Sequence, residues 1–266
     1  MSNIHPTAVV EDGAQIGKNV TIGPYAVVMS NVVLEDDVEI KAHAYIDGYT
    51  CIGEKTVVWP GAAIGTKTQD LKYRGEKTFV KIGANCEIRE YVTINSSCGE
   101  GSKVLVGDNC LIMAYCHVAH NCELGNRVVM ANNATLAGHV TVGNGAIIGG
   151  LSAVHQFVNI GRYSMTGGMS RVERDVLPYM IAAGIPVRLG GLNQVGLRRN
   201  NFSFEQRLAL SQAFKILCRS GLSVEEALAR IEQEVALTDE VTHLVDFCRC
   251  SKRGIIADGR SKARCE

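Results

Sequence analysis

Residues 4–28, IHPTAVVEDGAQIGKNVTIGPYAVV, place an aliphatic residue at every sixth position: Ile4, Val10, Ile16, Ile22 and Val28. The ladder continues through Leu34, Ile40, Ile46, Ile52, Val58 and Ile64, resumes at Ile82, Ile88 and Ile94, and then holds from Val106 to Ile160. Between 4 and 160 only Asp70, Glu76 and Glu100 break it. Four residues past each rung stands a small or β-branched residue, as at Ala8, Ala14, Val20 and Ala26. A period of six matches neither the 3.6 of a helix nor the 2 of a simple strand. It matches a coil of three short flat sides, each sending one large side chain into a narrow interior and a small residue into the corner. Stacked turns of such a coil bond to one another as parallel strands ~4.8 Å apart, which makes a parallel β-helix. The unbroken hexads fill eight turns, a prism ~40 Å long at that spacing.

The next step of the ladder, Thr166, is polar, so the periodic part is expected to end near 162–168. The stretch 171–191 holds Pro178, Gly184, Pro186, Gly190 and Gly191 and reads as an irregular connection. Beyond it the pattern is helical. Ser203 with Gln206 and Ser223 with Glu226 form capping boxes that open two helices, and a third is predicted over 239–250. The expected organisation is a mainly β chain: a β-helix over 1–185 with polar loops near 65–81 and 95–105, then a small α-helical domain over 186–266. The tail from Ser251 reads as irregular.

Composition excludes several classes. Lys plus Arg and Asp plus Glu both number 27, giving zero formal charge and a pI near 7.0, so no broad pull toward nucleic acid or an anionic membrane is expected. The start, MSNIHPTAVV, lacks the basic and long apolar segments of a secretory leader, and no run approaches the ~18 apolar residues of a membrane span. Ten cysteines in such a chain are expected as free thiols in a reducing cytoplasm.

Phase then sorts the segment CHVAHNC at 116–122. Cys110, Cys116 and Cys122 fall four past a rung, as do Cys86 and Cys98. A thiol in that inward slot packs as a small hydrophobe, so neither a metal nor a cross-link is expected there. His117 and His120 fall off the ladder. Adding one coil of 18 to residue 120 gives Gly138, and a second gives Gln156, so His117, His120, His139 and His155 are expected on one outer face. Four imidazoles on adjoining turns point to acid–base chemistry. His5, His43 and His243 are read as structural. The two polar interruptions are expected as loops that carry function on the same face.

Several motifs carry a resemblance over the whole chain: IHPTA at 4–8, QDLKY at 69–73, HVAHNCELGN at 117–126, ANNATLAGHV at 131–140, VHQFVNIG at 154–161 and GLRR at 196–199. Together they resemble the UDP-N-acetylglucosamine 3-O-acyltransferases, a branch of the hexapeptide-repeat acyltransferases. The resemblance implies a left-handed β-helix, against the usual crossover rule. It also implies a homotrimer with sites between subunits, transfer of a 3-hydroxyacyl or related group from acyl carrier protein to the glucosamine 3-hydroxyl, and no metal or other cofactor. His120 would be the general base and the Gly138 N–H the oxyanion donor. His117, His139, His155 and Gln156 would line the acceptor pocket. Asp70 would hold sugar hydroxyls, Lys72 and Arg199 would meet phosphates, Asn193 would contact the nucleotide, and Gly168 would lie along the acyl groove. The chain departs from the family pattern at Asn121 and Val195, where acidic residues are usual, and in the less basic GLRRNN. With Asn121, a backbone carbonyl is expected to orient the imidazole.

Three alternatives remain at this level. A sister N-acyl- or acetyltransferase would share the repeat, although the N-acyl enzyme carries an additional domain before it. A β-helical metalloenzyme of the carbonic anhydrase type would need three convergent histidines. A non-catalytic solenoid would have no use for a histidine column beside QDLKY.

Overall fold

The computed structural model describes residues 2–256. Its first strands, Asn3–Ile4, Val9–Val10 and Gln15–Ile16, start three separate sheets of 11, 9 and 8 strands. Asn3 and Ile4 pair in parallel with Thr21 and Ile22, one 18-residue coil on, and the same offset relates Val10 to Val28 and Ile16 to Leu34. The chain is thus a left-handed parallel β-helix, a triangular prism whose faces are the three sheets. The ladder side chains fill its axis: Ile22, Ile40, Ile64, Ile88, Ile112 and Ile148 are all at most 1% exposed. The small residues four past each rung, such as Ala26, Ala44, Ala62 and Ala134, are fully buried at the corners.

The two interruptions are loops, and they preserve the phase. Val58 pairs with Ile88, 30 residues on rather than 18, and Ile88 pairs with Ile112, 24 residues on. The first loop therefore adds two hexads and the second adds one, which is why the six-residue count runs straight through both. They brace each other at their roots. The Ser96 N–H donates to the Thr66 carbonyl at 2.7 Å, and the Thr68 N–H donates to Ser96 Oγ at 3.1 Å.

A recurring problem of this geometry is the N–H two residues past each rung, which lies at a corner outside the sheet ladder. At some of these corners the chain disposes of it, in two ways, and at many others it leaves the donor bare. Pro6, Pro24 and Pro60 delete the N–H. Elsewhere a carboxylate or amide oxygen one coil on caps it: Asp36 for Lys18 at 2.7 Å, Asn126 for Asp108 at 2.9 Å and Asn144 for Asn126 at 2.8 Å.

Coiling continues past Ile160. Thr166 takes the ladder place at 0% exposure, in a strand Met165–Thr166 that pairs with Ile147–Ile148, and Arg171–Val172 follows on the second sheet. Met180–Ala183 then joins the first sheet in parallel and turns back as Arg188–Leu192, with a cis Ile185–Pro186 bond at the turn. The stretch 171–191 is therefore a final half-coil and a hairpin, not an irregular connection. Threonine, being β-branched, suits a strand as well as valine does, so its polarity misled the count.

Four helices follow: α1 (Gln194–Arg199), α2 (Phe204–Arg219), α3 (Val224–Glu234) and α4 (Asp239–Cys250). Both capping boxes form as read, Ser203 with Gln206 and Ser223 with Glu226. The chain is tied back to the prism at Asp175, which is 0% exposed. Its carboxylate accepts from the Asn159 N–H at 2.7 Å and from Ser251 Oγ at 2.7 Å, while its own N–H donates to the Gly254 carbonyl at 3.0 Å. Of the tail read as irregular, residues 257–266, Cys265 among them, lie outside the described residues. No helix among the described residues is long and apolar enough to cross a membrane.

Candidate active site

The wall of the site is the second sheet where it turns toward the third. His117 lies on the strand His117–Val118, paired with Thr93–Ile94 below and Thr135–Leu136 above. That register stacks residues 120, 138 and 156 on successive coils. The first loop folds over this wall and brings Gln69, Asp70, Leu71 and Lys72 to it, and Asn95, at the end of the strand Thr93–Asn95, adds to the lining. Between loop and wall lies a cleft of about 550 Å³ whose inner side is formed by His117, His120, His139, Gln156 and Phe157.

His120 stands at its centre, and its side chain is 16% exposed. Nδ1 is 2.9 Å from Asn121 Oδ1 and Nε2 is 3.6 Å from Asp70 Oδ2. The side-chain oxygen of Asn121, not a backbone carbonyl, is thus the group that orients the ring. Asp70 is itself held: its Oδ1 accepts the Lys72 N–H at 2.8 Å. That bond above all, with the Lys72 charge behind it, lowers its pKa and keeps the carboxylate ionised.

Gly138 explains how the ring comes so close to the wall. A Cβ at that position would lie 2.3 Å from His120 Cε1 and 2.4 Å from Nε2, so the imidazole occupies the space a side chain would fill. The Gly138 N–H is one of the corner donors, and here neither device is used: it is not proline, and the capping place one coil on is held by Gln156. Among the described residues it has no hydrogen-bond partner. Many other corner N–H groups share that state, those of Ala42, Ala114, Asn132, Gly150 and Gly168 among them, but Gly138 is the one with an imidazole against it.

The neighbouring rings are neutral supports. His117 Nδ1 meets Thr93 Oγ1 at 2.7 Å. His139 stacks on Phe157 at 4.6 Å and meets His120 edge-on at 5.2 Å. Burial lowers the pKa of both His117 and His139, and the adjacent His120 lowers it further. At neutral pH neither opposes a positive charge arising on His120.

The structure therefore gathers Asp70, Lys72, His117, His120, Gly138, His139 and Gln156. It does not bring the other four candidates to this cleft. His155 is exposed, with Nδ1 on the Gln156 carbonyl at 3.2 Å, so three histidines converge rather than four. Gly168 sits at the corner between the first and second sheets, where a Cβ would be 3.2 Å from the Gly150 carbonyl oxygen. Asn193 is 5% exposed and caps α1, with Oδ1 accepting from the Gly196 N–H at 3.1 Å and Nδ2 donating to the Tyr163 carbonyl at 3.0 Å. Arg199 is exposed in the last turn of α1.

The sequence reading missed Asn95, Phe157 and Cys98. Phe157 could have been found by adding 18 to His139. Cys98 shares the phase of the inward cysteines, yet it lies in the second loop, is only partly buried and faces Asp70. Cys86, Cys110, Cys116 and Cys122 are buried as expected. Among the described residues no three His, Cys, Asp or Glu side chains are arranged to hold a metal ion.

Comparison with known proteins agrees with this fold. Residues 175–256 match the second domain of the UDP-N-acetylglucosamine O-acyltransferases, and residues 13–48 and 103–138 match the bacterial transferase hexapeptide repeat. The chain is 57% identical over 256 residues to the acyl-[acyl-carrier-protein]–UDP-N-acetylglucosamine O-acyltransferase of Chlamydia abortus, covering 96% of this chain and 92% of that protein. Its fold is similar to the UDP-N-acetylglucosamine acyltransferase of Bacteroides fragilis, with a TM-score of 0.93 at 40% identity over 95% of this chain and 99% of that one. The enzyme of Campylobacter jejuni gives 0.91 at 41% identity, over 96% of this chain and 99% of that one. The chain belongs to the acyl-[acyl-carrier-protein]–UDP-N-acetylglucosamine O-acyltransferase family.

Proposed function

We propose that this chain transfers a fatty acyl group, of the 3-hydroxyacyl class, from acyl carrier protein to the 3-hydroxyl of UDP-N-acetylglucosamine, with His120 as general base. The observation that carries the reading is the ring of His120, oriented through Nδ1 and presenting Nε2 to the cleft beside the Gly138 N–H. A sugar hydroxyl is a weak nucleophile and a thioester is already activated, so the protein has to supply a base, alignment and oxyanion stabilisation. Nε2 takes the hydroxyl proton as the oxygen attacks the thioester carbonyl. The Gly138 N–H donates to the oxyanion. Collapse expels the pantetheine thiolate, which recovers the proton from the imidazolium. No covalent enzyme intermediate and no metal enters this scheme.

Asp70 holds sugar hydroxyls at the cleft mouth, His117, His139 and Gln156 shape the acceptor pocket, and Lys72 attracts phosphate. His155, Gly168, Asn193 and Arg199 serve a site shared between subunits of a homotrimer. Support for assembly comes from the corner between the first and second sheets, where Tyr25 stacks on His43 and Tyr91 on Tyr115, and where Leu151 and Met169 are 64% and 66% exposed. An apolar ridge of this kind marks an interaction surface. Gly168 lies in that corner and would border the acyl groove of a neighbour. The cytoplasm, where acyl carrier protein and nucleotide sugar are both available, is the compartment this reading requires.

The test is an assay of purified protein in chelator with UDP-N-acetylglucosamine and a panel of acyl carrier protein thioesters, read by mass spectrometry. The expected product is heavier by one acyl group, and His120→Ala folds but makes none. A His120→Ala protein with substantial turnover refutes the role of the base. Activity that returns only with added metal refutes the scheme.

A further inference from the structure

We propose that Cys98 is a positioning residue for the imidazole: its main chain fixes the Asn121 amide, and that amide holds His120 in the tautomer with its proton on Nδ1 and a bare Nε2 toward the cleft. An Asn side chain alone does not reveal which end is oxygen. Here two main-chain groups of opposite character read it. The Cys98 N–H, which only donates, lies 3.2 Å from one end of the amide, and the Cys98 carbonyl, which only accepts, lies 3.1 Å from the other. The first end is therefore Oδ1 and the second Nδ2. A flipped amide would set donor against donor and acceptor against acceptor, leaving half-buried polar groups unpaired.

The consequence passes to the ring. Oδ1 has two lone pairs. One receives the Cys98 N–H, and the other faces His120 Nδ1 at 2.9 Å. An acceptor at that distance places the proton on Nδ1. Nε2 is then bare, and its separation of 3.6 Å from Asp70 Oδ2 is too long for a direct hydrogen bond. Cys98 also backs that side of the ring, since its thiol faces the Asp70 carboxylate.

The inserted hexad makes this arrangement available. In a regular coil the strand N–H and C=O groups are consumed by the sheet ladder, whereas residue 98 stands in the loop between the strands Thr93–Asn95 and Lys103–Val106. Ser102 Oγ lies 2.9 Å from the same Cys98 carbonyl and 2.6 Å from that of Gly99, so its one proton is shared between them. The clamp also accounts for the departure from the family pattern at position 121. A carboxylate there would put an oxygen about where Nδ2 is, against the Cys98 carbonyl oxygen. Asn also tolerates the left-handed backbone at this corner, φ +57°.

The importance of a bare Nε2 rests on the proposed reaction, but the tautomer does not, and it is measured without substrate. Protein labelled with 15N-histidine is examined by long-range 1H–15N correlation above the imidazole titration range, with the His120 signals assigned by their loss in His120→Ala. The expected result is a protonated Nδ1 and a bare Nε2. Asn121→Gly, which keeps the left-handed corner and removes the amide, is expected to give a mixed or Nε2-protonated ring. Its kcat should fall at least roughly tenfold, with KM for UDP-N-acetylglucosamine within roughly twofold. Asn121→Asp provides a second arm should the glycine variant fail to fold: it is expected to move the acid limb of the kcat/KM profile to higher pH. A wild-type ring protonated on Nε2, an Asn121→Gly ring that keeps its proton on Nδ1, or an unmoved acid limb in Asn121→Asp would each overturn the proposal. Absence of acyl transfer by the wild type would instead overturn the proposed function and leave the tautomer measurement standing.

Discussion

Gly138→Ala separates the geometry of the site from the stability of the scaffold. The new Cβ would be 2.3 Å from His120 Cε1 and 2.4 Å from Nε2, where ordinary contact begins near 3.4 Å. The backbone stays in place because the ring is the free end of a side chain, so the imidazole has to swing outward by about 1 Å. A displacement of that size costs roughly 10²-fold in rate, or about 2.7 kcal/mol in the barrier. Gly138 is not in the left-handed region, and Gly→Ala at a compatible position stiffens the unfolded chain by ~0.4–1 kcal/mol. The melting temperature is therefore expected to hold or rise slightly while kcat collapses. Gly143→Ala is the contrast. Its Cβ would lie 2.5 Å from the Arg162 backbone nitrogen, which has no free end to move, so that variant should lose about 1–3 kcal/mol of stability. Steady-state rates and thermal melts of the two proteins check both limbs. A Gly138→Ala enzyme with near-normal kcat would refute the claim that the ring must lie flat against this coil.

Thr166→Val should stabilise the protein by about 1 kcal/mol, because Thr166 Oγ1 is buried without a hydrogen-bond partner and the methyl replaces it at equal volume; denaturant melts measure it, and a loss would show the hydroxyl is satisfied. Ile88→Ala, at a fully buried rung, should cost about 2–5 kcal/mol on the same assay. Burial holds the pKa of His117, His139 and His243 below the ordinary 6.5, so on acidification the unfolded chain binds protons first. Stability is therefore complete above about pH 6.5 and falls as pH drops from there toward the folded-state values; a melting temperature flat through that window would contradict the shifts. Burial raises the thiols of Cys116 to about 11 and of Cys122 to about 12, so mild alkylation of the native protein should label exposed Cys250 and spare these two, as peptide mapping would show.

The scaffold was legible because one large side chain per six residues is a demand made by the narrow interior itself, and it recurs at every coil from Ile22 to Ile160. Both capping boxes were equally local and equally visible. Thr166 hid the last coil because hydropathy counts its hydroxyl, whereas the strand and the rung it fills count its branched Cβ. The site was half legible. Stepping by 18 aligned His120, Gly138 and Gln156, since that offset is the pitch of the fold. Asp70 reaches the cleft from a loop whose course follows no period, and Asn95 from the end of the strand Thr93–Asn95, where the second loop leaves the coil. The same step placed His155 on the adjoining turn without showing that it lies outside the cleft. Cys98 was read as inward because its loop spans whole hexads and keeps the count, although the chain there has left the prism.

The corner donors have a design consequence. A solenoid of this kind exposes one unladdered N–H every six residues and spends a proline or a capping oxygen to silence some of them. A bare donor is thus the ordinary state of many corners, and what the reaction centre adds is a base set against one of them. A second centre engineered elsewhere on the prism therefore needs no new donor, since corners such as Gly150 already offer one; it needs an imidazole placed one coil away, with room for its ring where a side chain would otherwise stand.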